Sequence, residues 1–446
     1  SSSNRRKMKY LTLIYYDTFA RFFSEIEDAV KQLEPSADFQ HMAIFPSGHL
    51  YMLSHGRKSK LLACEIKKPS ISKTVTSEAD LEKIAKYHAT VGARYGDTYL
   101  AALRDRAQNY VNYWKDVIDS YDPDVVIFSG DTRIAAESLQ YYLSATTHRA
   151  KRYFFEQGPN GTTIFDTKGV NANCSFRKQA SSLTGIGYTP EPAIKSEKFK
   201  RNPVYRGIDY ALTAALRALG KLPPEWDSMS LGSYPKSKYS ACVQHGRDNN
   251  PKSAQEILVA LQVPDDANNI HHNPLNLGDL DLVTLVTKAS EDTGLTVRVR
   301  EHPLYRRRYT TGLYENLSVS KQALLSDSSL DNDLKNAALV VTVNSMTGLD
   351  AYFRKIPVIT LGNSFYDHLP GIVRVNDPED LSDTIKTLVQ AGLSKCLGNI
   401  NPASVFAEMR ENHFLSGHYL DKDLSAAASA IASILTKGET CHPEKV

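Results

Sequence analysis

The sequence predicts an α/β chain of two lobes, each built on a parallel sheet, closed by a helical tail. Three observations predict it. Strand and helix patterns alternate from residue 10 to residue 156, the alternation fades over about 80 residues rich in Gly, Pro, Ser and Lys, and it restarts at Ile257. At roughly 150 residues per domain, a chain of 446 residues has room for two to three domains.

The first lobe opens with a strand over Tyr10–Tyr16, after a basic Asn4–Lys9 stretch read as a linker remnant, since the apolar run ends at Tyr15-Tyr16-Asp17 with no small-residue cleavage site. Phe19, Phe22, Phe23, Ile26 and Val30 then recur at helical spacing. A strand follows at His41–Phe45, and a long helical region at Glu78–Ser120 breaks near Gly96. The run Asp124–Gly130 is short, apolar and closed by a glycine turn, as a buried parallel strand feeding a crossover helix at Thr132–Leu143 should be. Arg152–Glu156 is a further strand, and one helix is expected near Ile208–Leu219.

In the second lobe, strands are expected at Ile257–Val263, Thr296–Arg300, Ala338–Val343 and Val358–Leu361. Helices are expected at Leu280–Ser290, Gly348–Phe353 and Pro378–Leu393, the last opened by Asp377, Glu379 and Asp380, where the helix dipole favours acid. The tail over Ala403–Leu435 is helical and ends Ala/Ser-rich. The expected boundaries are 1–235 for the first lobe, with an irregular connection at 160–235, then 236–400 for the second lobe and 401–446 for the tail.

Composition excludes several classes. The formal charge is 53 − 50 = +3 on a chain that is 23% charged and 41% hydrophobic, which argues against general nucleic-acid binding and against disorder. No run approaches the roughly 18 apolar residues of a membrane span, so membrane contact is expected to be peripheral. Cys64, Cys174, Cys242, Cys396 and Cys441 are odd in number and scattered, which fits a reducing cytoplasm.

Chemistry concentrates in the second lobe. The segment Leu339–Asp367 holds a strand ending in Val343-Asn344-Ser345 at a helix start, where hydroxyls and backbone N–H groups converge as they do on a phosphate; ordinary helix capping by Asn344 or Ser345 is the simpler alternative. Arg300-Glu301-His302-Pro303 ends the preceding strand, and in a parallel sheet both loops open on the carboxyl edge. Asp279-Leu280-Asp281 imitates a metal-binding D-x-D, but its Leu280/Leu282/Leu285 setting reads as a solvated helix start, and His271-His272 reads as loop. No metal site is expected.

Arg300–Pro303, Thr342–Ala351 and Pro357–Asp367 resemble the capsule polysaccharide KpsC/KpsS family, retaining β-Kdo glycosyltransferases that use CMP-β-Kdo. The resemblance extends to Phe154–Gly158, Asp166–Asn171 and Leu261–Asn268, covering about residues 125–370, with Ala267 departing from the Ser or Thr usual after the family's aspartate. It implies a GT-B-like fold, two Rossmann-like lobes around a central cleft with a helical C-terminal tail. It also implies transfer of Kdo to a hydroxyl of a capsule, lipid-linked primer or O-antigen glycan through an aspartyl-glycosyl intermediate, with no cofactor beyond the CMP-sugar.

By that resemblance Asp266 is the nucleophile, with Asp265 the alternative and an Asp-Asp turn the simpler reading. Glu156 is the base toward the acceptor, with Asp131 as runner-up. His302 is the third catalytic residue and, with Gln262, Arg300, Asn344, Ser345, Thr347 and Gly348, holds the donor, and Arg247 and Lys168 are further candidate cations. Arg306-Arg307-Arg308 is an expected contact to anionic lipid or glycan. The expected partners are a CMP-sugar donor, a glycan or glycolipid acceptor and a capsule-assembly or peripheral membrane setting at the inner face of the inner membrane. A CMP-sialic acid or other CMP-ulosonic acid transferase is the second reading, and a non-catalytic glycan- or nucleotide-binding component the third.

Overall fold

The computed structural model describes residues 6–190, 195–226, 234–243 and 255–437. Arg247 and Cys441 lie outside the described residues, while Cys64, Cys174 and Cys396 are not in disulfides. The chain divides into two compact units. The first holds the described residues of Ser1–Val170, Pro192–Met229 and Arg410–Val446; the second holds those of Asn171–Glu191 and Ser230–Met409.

The sheet of the first unit contains β1 (Lys9–Ile14), β2 (Asp38–Ala43), β3 (Ser59–Leu61), β4 (Val125–Ser129), β5 (Lys151–Gln157) and β6 (Thr162–Asp166); the sheet of the second contains β7 (Glu256–Ala260), β8 (Thr296–Arg300), β9 (Ala323–Leu325), β10 (Ala337–Thr342), β11 (Val358–Thr360) and β12 (Val373–Arg374); β13 (Leu415–Ser416) returns to the first. The first sheet runs β3-β2-β1-β4-β5-β6-β13, parallel from β3 to β5, with β6 and β13 antiparallel at one edge.

Side-chain alternation divides that sheet between two cores. Leu11, Leu13, Val126, Phe128 and Phe154 face the helices Glu78–Val91, Asp97–Tyr121 and Ile134–Ala145. Tyr10, Ile14, Val125, Ile127, Tyr153 and Phe155 face the helices Asp17–Leu33 and Ser425–Lys437. The expected break in the long helical region falls at Gly96, whose φ of 87° suits a residue without Cβ.

The second sheet runs β12-β11-β10-β7-β8-β9 and is parallel throughout. In chain order this is 3-2-1-4-5-6, the doubly wound arrangement, so the sheet reverses its winding between β7 and β10. Ile257, Leu258, Val259, Leu339, Val340 and Val341 are all fully buried, which is why both strands read as continuous apolar runs. The two Rossmann-like sheets agree with the α/β, GT-B-like expectation.

The helical tail expected at 401–446 is divided between the two units. Residues 402–409 of the helix Pro402–Asn412 belong to the second unit, whereas Ser425–Lys437 packs on Asp17–Leu33 in the first through Ala427, Ala428, Ile431 and Ala432. The 160–235 connection is also shared, because residues 171–190 join the second unit. Among the described residues no helix is long and apolar enough to cross a membrane.

A buried charge cluster braces β1 and β2. His41, fully buried on β2, places its ring nitrogens 2.6 Å from Thr12 Oγ1 and 2.6 Å from Glu27 Oε1. Lys31 and Arg57 donate to the other Glu27 oxygen at 2.8 and 3.1 Å. Burial opposes ionisation of Glu27, but the hydrogen bonds and charges around it outweigh burial and hold its pKa at about 2, against an ordinary 4.5. A depressed carboxylate pKa adds stability above the unfolded value that is lost as the pH falls through the folded one. The melting temperature should therefore drop as the pH is lowered from 4.5 toward 2, and Glu27→Gln should flatten that drop while lowering stability at neutral pH, as thermal melts across the range would read.

Candidate functional site

In a doubly wound sheet the ligand crevice lies beyond the carboxyl ends of the strands where the winding reverses. In the second unit these ends are Leu261–Asp266 after β7 and Val343–Ser345 after β10. Asn344 organises both. It is 2% exposed, and its Nδ2 lies 3.0, 3.1 and 3.0 Å from the carbonyls of Asn268, His272 and Asn363. Its Oδ1 accepts from Gln262 Nε2 at 2.7 Å, and its backbone N–H donates to Gln262 Oε1 at 3.2 Å. Gln262 and Asn344 are thus spent on each other and on the backbone; they shape the loops from within.

Ser345 caps the helix Met346–Phe353, its hydroxyl accepting from the Thr347 N–H at 3.1 Å, so the capping alternative is realised. Gly348 is dictated by packing: a Cβ there would stand 2.6 Å from Tyr366 Oη, and Tyr366 donates to the Ser345 carbonyl. A Cβ at Gly362 would stand 2.8 Å from the His272 carbonyl and 2.6 Å from Val343 Cγ1. The loops after β10 and β11 therefore approach at backbone distance.

His302 follows β8 and caps the short turn Pro303–Tyr305. Its Nδ1 accepts from the Leu304 N–H at 3.1 Å, which assigns the proton to Nε2 and leaves an N–H donor there. Burial lowers the His302 pKa; the Asp266 carboxylate acts in the opposite direction and Arg300 reinforces the lowering. The ring is held neutral by burial, under the influence of Asp266. Tyr309 ties the β8 loop to the β7 loop, accepting from the His302 N–H at 3.1 Å and donating to the Gln262 carbonyl at 3.1 Å.

The two aspartates differ. Asp265 accepts from the Tyr234 hydroxyl. Asp266 is exposed, and its Oδ1 caps the helix Ala267–His271 through the Asn268 N–H at 2.8 Å. Arg300 has an internal partner: it donates to Asp333 at 3.0 Å and to the Ser328 carbonyl at 2.7 Å. Of the arginine run, Arg308 donates to the Tyr234 carbonyl, while Arg306 and Arg307 are exposed. Asp279 accepts from Leu280 and Thr310, as a helix-start residue does, and among the described residues no group of three or more His, Cys, Asp or Glu side chains could hold a metal ion.

A cationic cluster adjoining Asn344 escaped the sequence reading. Asp367, 1% exposed, accepts from Arg177 Nε at 3.0 Å and Nη2 at 2.9 Å, and from Arg374. Both arginines also donate to Asn363 Oδ1, at 3.1 and 2.9 Å, and the carbonyl of the same Asn363 takes the Asn344 amide. Two guanidiniums on one carboxylate leave a net positive charge at the carboxyl edge of β11 and β12. Asp367 lay inside a recognised motif, but Arg177 and Arg374 come from an irregular stretch and a two-residue strand, with no spacing to reveal them.

In the first unit Glu156 is half-buried on β5, opposite Ile164 of β6. Asp131, 4% exposed beyond β4, accepts from the Val170 N–H at 3.1 Å. Burial, with the Asp131 charge, raises the nearby Glu137 to about 7. Lys168 is exposed.

Residues 235–396 match the model of the family described as capsule polysaccharide biosynthesis protein. The chain is 25% identical over 287 residues to Protein FixF of Sinorhizobium fredii (strain NBRC 101917 / NGR234), covering 61% of this chain and 58% of that relative; the match therefore spans less than two thirds of the relative's length. Among solved structures, Thermosulfurimonas dismutans KpsC, a beta Kdo 2,7 transferase, aligns at 11% identity over 96% of this chain and 99% of that one, with a TM-score of 0.40. The UDP-GlcNAc 2-epimerase of Neisseria meningitidis aligns at 13% identity over 96% and 100%, with a TM-score of 0.32, and a glycosyltransferase of Rickettsia africae ESF-5 at 13% over 97% and 100%, with a TM-score of 0.34. At such scores the fold assignment stands on the sheet topology itself.

Two outcomes follow from the geometry. Asn344→Ala removes the donor to the Asn363 carbonyl and the second donor to the Asn268 and His272 carbonyls, and should cost about 1–3 kcal/mol in chemical denaturation. Asp266→Asn removes the charge that raises the His302 pKa, so NMR titration of the ring should move to lower pH, whereas Asp265→Asn should move it less.

Proposed function

We propose that this chain, whose residues 235–396 carry the capsule polysaccharide biosynthesis segment, is a glycosyltransferase that moves Kdo from CMP-β-Kdo to a sugar hydroxyl with retention. The observation that carries the reading is the placement of the exposed Asp266, after β7, and of His302, after the neighbouring β8, at the carboxyl edge of a 3-2-1-4-5-6 sheet. A carboxylate there can attack, and a neutral imidazole N–H can receive the phosphate that departs.

In the proposed sequence the Asp266 carboxylate bonds to the anomeric carbon, and the carbon–oxygen bond to CMP breaks with its electron pair going to the phosphate. His302 Nε2–H and the N-terminus of the helix Met346–Phe353, with Ser345 and Thr347, receive the CMP phosphate. The acceptor oxygen then bonds to the same carbon as the Asp266 bond breaks, and the acceptor proton passes to a base. Glu156 is that base by family resemblance, and Asp266 regains its free carboxylate. Two inversions return the original anomeric configuration. A single phosphate lowers the need for a bridging divalent ion, and the proposed sequence uses none.

The acceptor is proposed to be a glycan or glycolipid of capsule or O-antigen type, met by a cytoplasmic enzyme associated with the inner membrane or a capsule-assembly complex. CMP release from CMP-β-Kdo with synthetic Kdo and hexosamine acceptors tests the reaction. Release should persist in EDTA, Asp266→Ala should lower it at least on the order of a thousandfold while CMP binding by calorimetry survives, and Glu156→Gln should lower acceptor transfer more than CMP binding. Robust turnover by Asp266→Ala would remove the assignment. NMR of the product anomer, with CMP-sialic acid as the competing donor, separates the second reading; retained CMP affinity without release from any CMP-sugar would favour a non-catalytic component.

A further inference from the structure

The cluster around Asp367 has N–H donors to spare. Asp367 itself is fully engaged: Oδ1 accepts from Arg177 Nε at 3.0 Å, and Oδ2 accepts from Arg177 Nη2 at 2.9 Å, from Arg374 and from the Ser364 N–H at 3.3 Å. Asn363 Oδ1 accepts from Nη2 of Arg177 at 3.1 Å and from Nη2 of Arg374 at 2.9 Å. A guanidinium has no acceptor, so these two bonds fix which end of the Asn363 amide is oxygen.

Two NH2 groups are left over. Arg177 Nη1 and Asn363 Nδ2 take no hydrogen-bond partner among the described residues, and they lie on side chains bonded to each other. Arg177 keeps 23% of its side chain exposed and Asn363 is half-buried, so neither is sealed from a ligand. Arg374 also borders a cleft with Asp380 and Asp383, so the positive charge left over is that of Arg177. Its Nε and Nη2 grip Asp367, which holds Nη1 in place before any ligand arrives. A cation with unspent N–H groups beside an unspent amide N–H2 is complementary to a carboxylate.

The loop that carries this cluster also closes on the proposed phosphate site. The Asn363 carbonyl accepts from Asn344 Nδ2 at 3.0 Å, and Tyr366 donates to the Ser345 carbonyl. A CMP-ulosonic acid brings two anions, a phosphate and a sugar carboxylate, and a glycan ending in such an acid brings a carboxylate as well. The proposed phosphate site, His302 and the start of the helix Met346–Phe353, accounts for the phosphate alone. Arg300, the cation expected from the sequence, is turned instead to Asp333 and the Ser328 carbonyl.

We propose that Arg177 Nη1, with Asn363 Nδ2, receives the carboxylate of an ulosonic acid, brought by the donor or by the end of the acceptor. That the acid is an ulosonic acid rests on the transferase reading above.

The test measures binding of free Kdo and of its uncharged methyl ester to the full chain by ligand-detected NMR, with CMP binding by calorimetry alongside. Kdo should bind and the ester should not. Arg177→Met should weaken Kdo binding roughly ten- to hundredfold while CMP affinity stays near that of the wild type. Asn363→Asp should do the same with the fold protected, because it gives the two arginines a second carboxylate and cancels the charge meant for the ligand. In turnover, a raised KM for CMP-β-Kdo with an unchanged KM for a hexosamine acceptor assigns the carboxylate to the donor; a raised KM confined to a Kdo acceptor assigns it to the acceptor. The proposal is overturned if the wild type does not bind Kdo, if Kdo and its ester bind equally, or if a folded variant binds Kdo undiminished. A parallel loss of CMP affinity would also overturn it, by giving the cluster to the nucleotide phosphate. Kdo binding that depends on Arg177, without CMP release from CMP-β-Kdo, would end the transferase reading and leave the carboxylate site standing.

Discussion

Asn344 is the fixed point of the second unit. One buried amide links the loops after β7, β10 and β11, because its donors reach the carbonyls of Asn268, His272 and Asn363 while its acceptor and backbone N–H close on Gln262. The Asn268 and His272 carbonyls also accept from the backbone N–H groups of His272 and Asn363, so the amide is a second donor to each, while the Asn363 carbonyl takes its donor from Asn344. Tyr309 then carries the constraint from Gln262 to His302, and Asn363 carries it to Arg177 and Arg374. The candidate groups at this edge are placed by a residue that itself has no reactive chemistry.

This division of labour explains the electrostatics of the site. His302 stays neutral because it is partly withdrawn from water, while its Nδ1 is occupied by the backbone and Nε2 keeps the proton. Arg300 and Arg177 are cations held by buried carboxylates, Asp333 and Asp367, so the positive charge of this edge is fixed in position. A preorganised field of this kind needs little rearrangement when an anionic ligand arrives.

The elements legible in the sequence are those whose signal is local. The apolar runs at Val125–Ser129, Glu256–Ala260 and Ala337–Thr342 declare buried strands, and the glycine break at 96 declares two helices. Strands of two or three residues, such as Ser59–Leu61 and Val373–Arg374, have too few positions for a period to show and exist because a neighbouring strand offers them hydrogen bonds. The same limit applied at the site. His302, Asn344 and Asp266 lie in motifs, whereas Arg177 reaches Asp367 across 190 residues of chain. The motif reading also assigned Asn344, Gln262 and Gly348 to ligand contact, where packing and backbone hydrogen bonds occupy them.

The return of the chain from the second unit to the first sets an order of events at the ribosome. The face of the first sheet under Tyr10, Ile14, Val125 and Phe155 is covered jointly by Asp17–Leu33 and by Ser425–Lys437, and the latter emerges only after the second unit. Until then one apolar side of the amino-terminal sheet has only Asp17–Leu33 over it, and the edge strand β6 lacks β13. The first half of this protein is therefore committed to waiting, and its nascent form is a natural client for chaperones throughout the synthesis of the second unit.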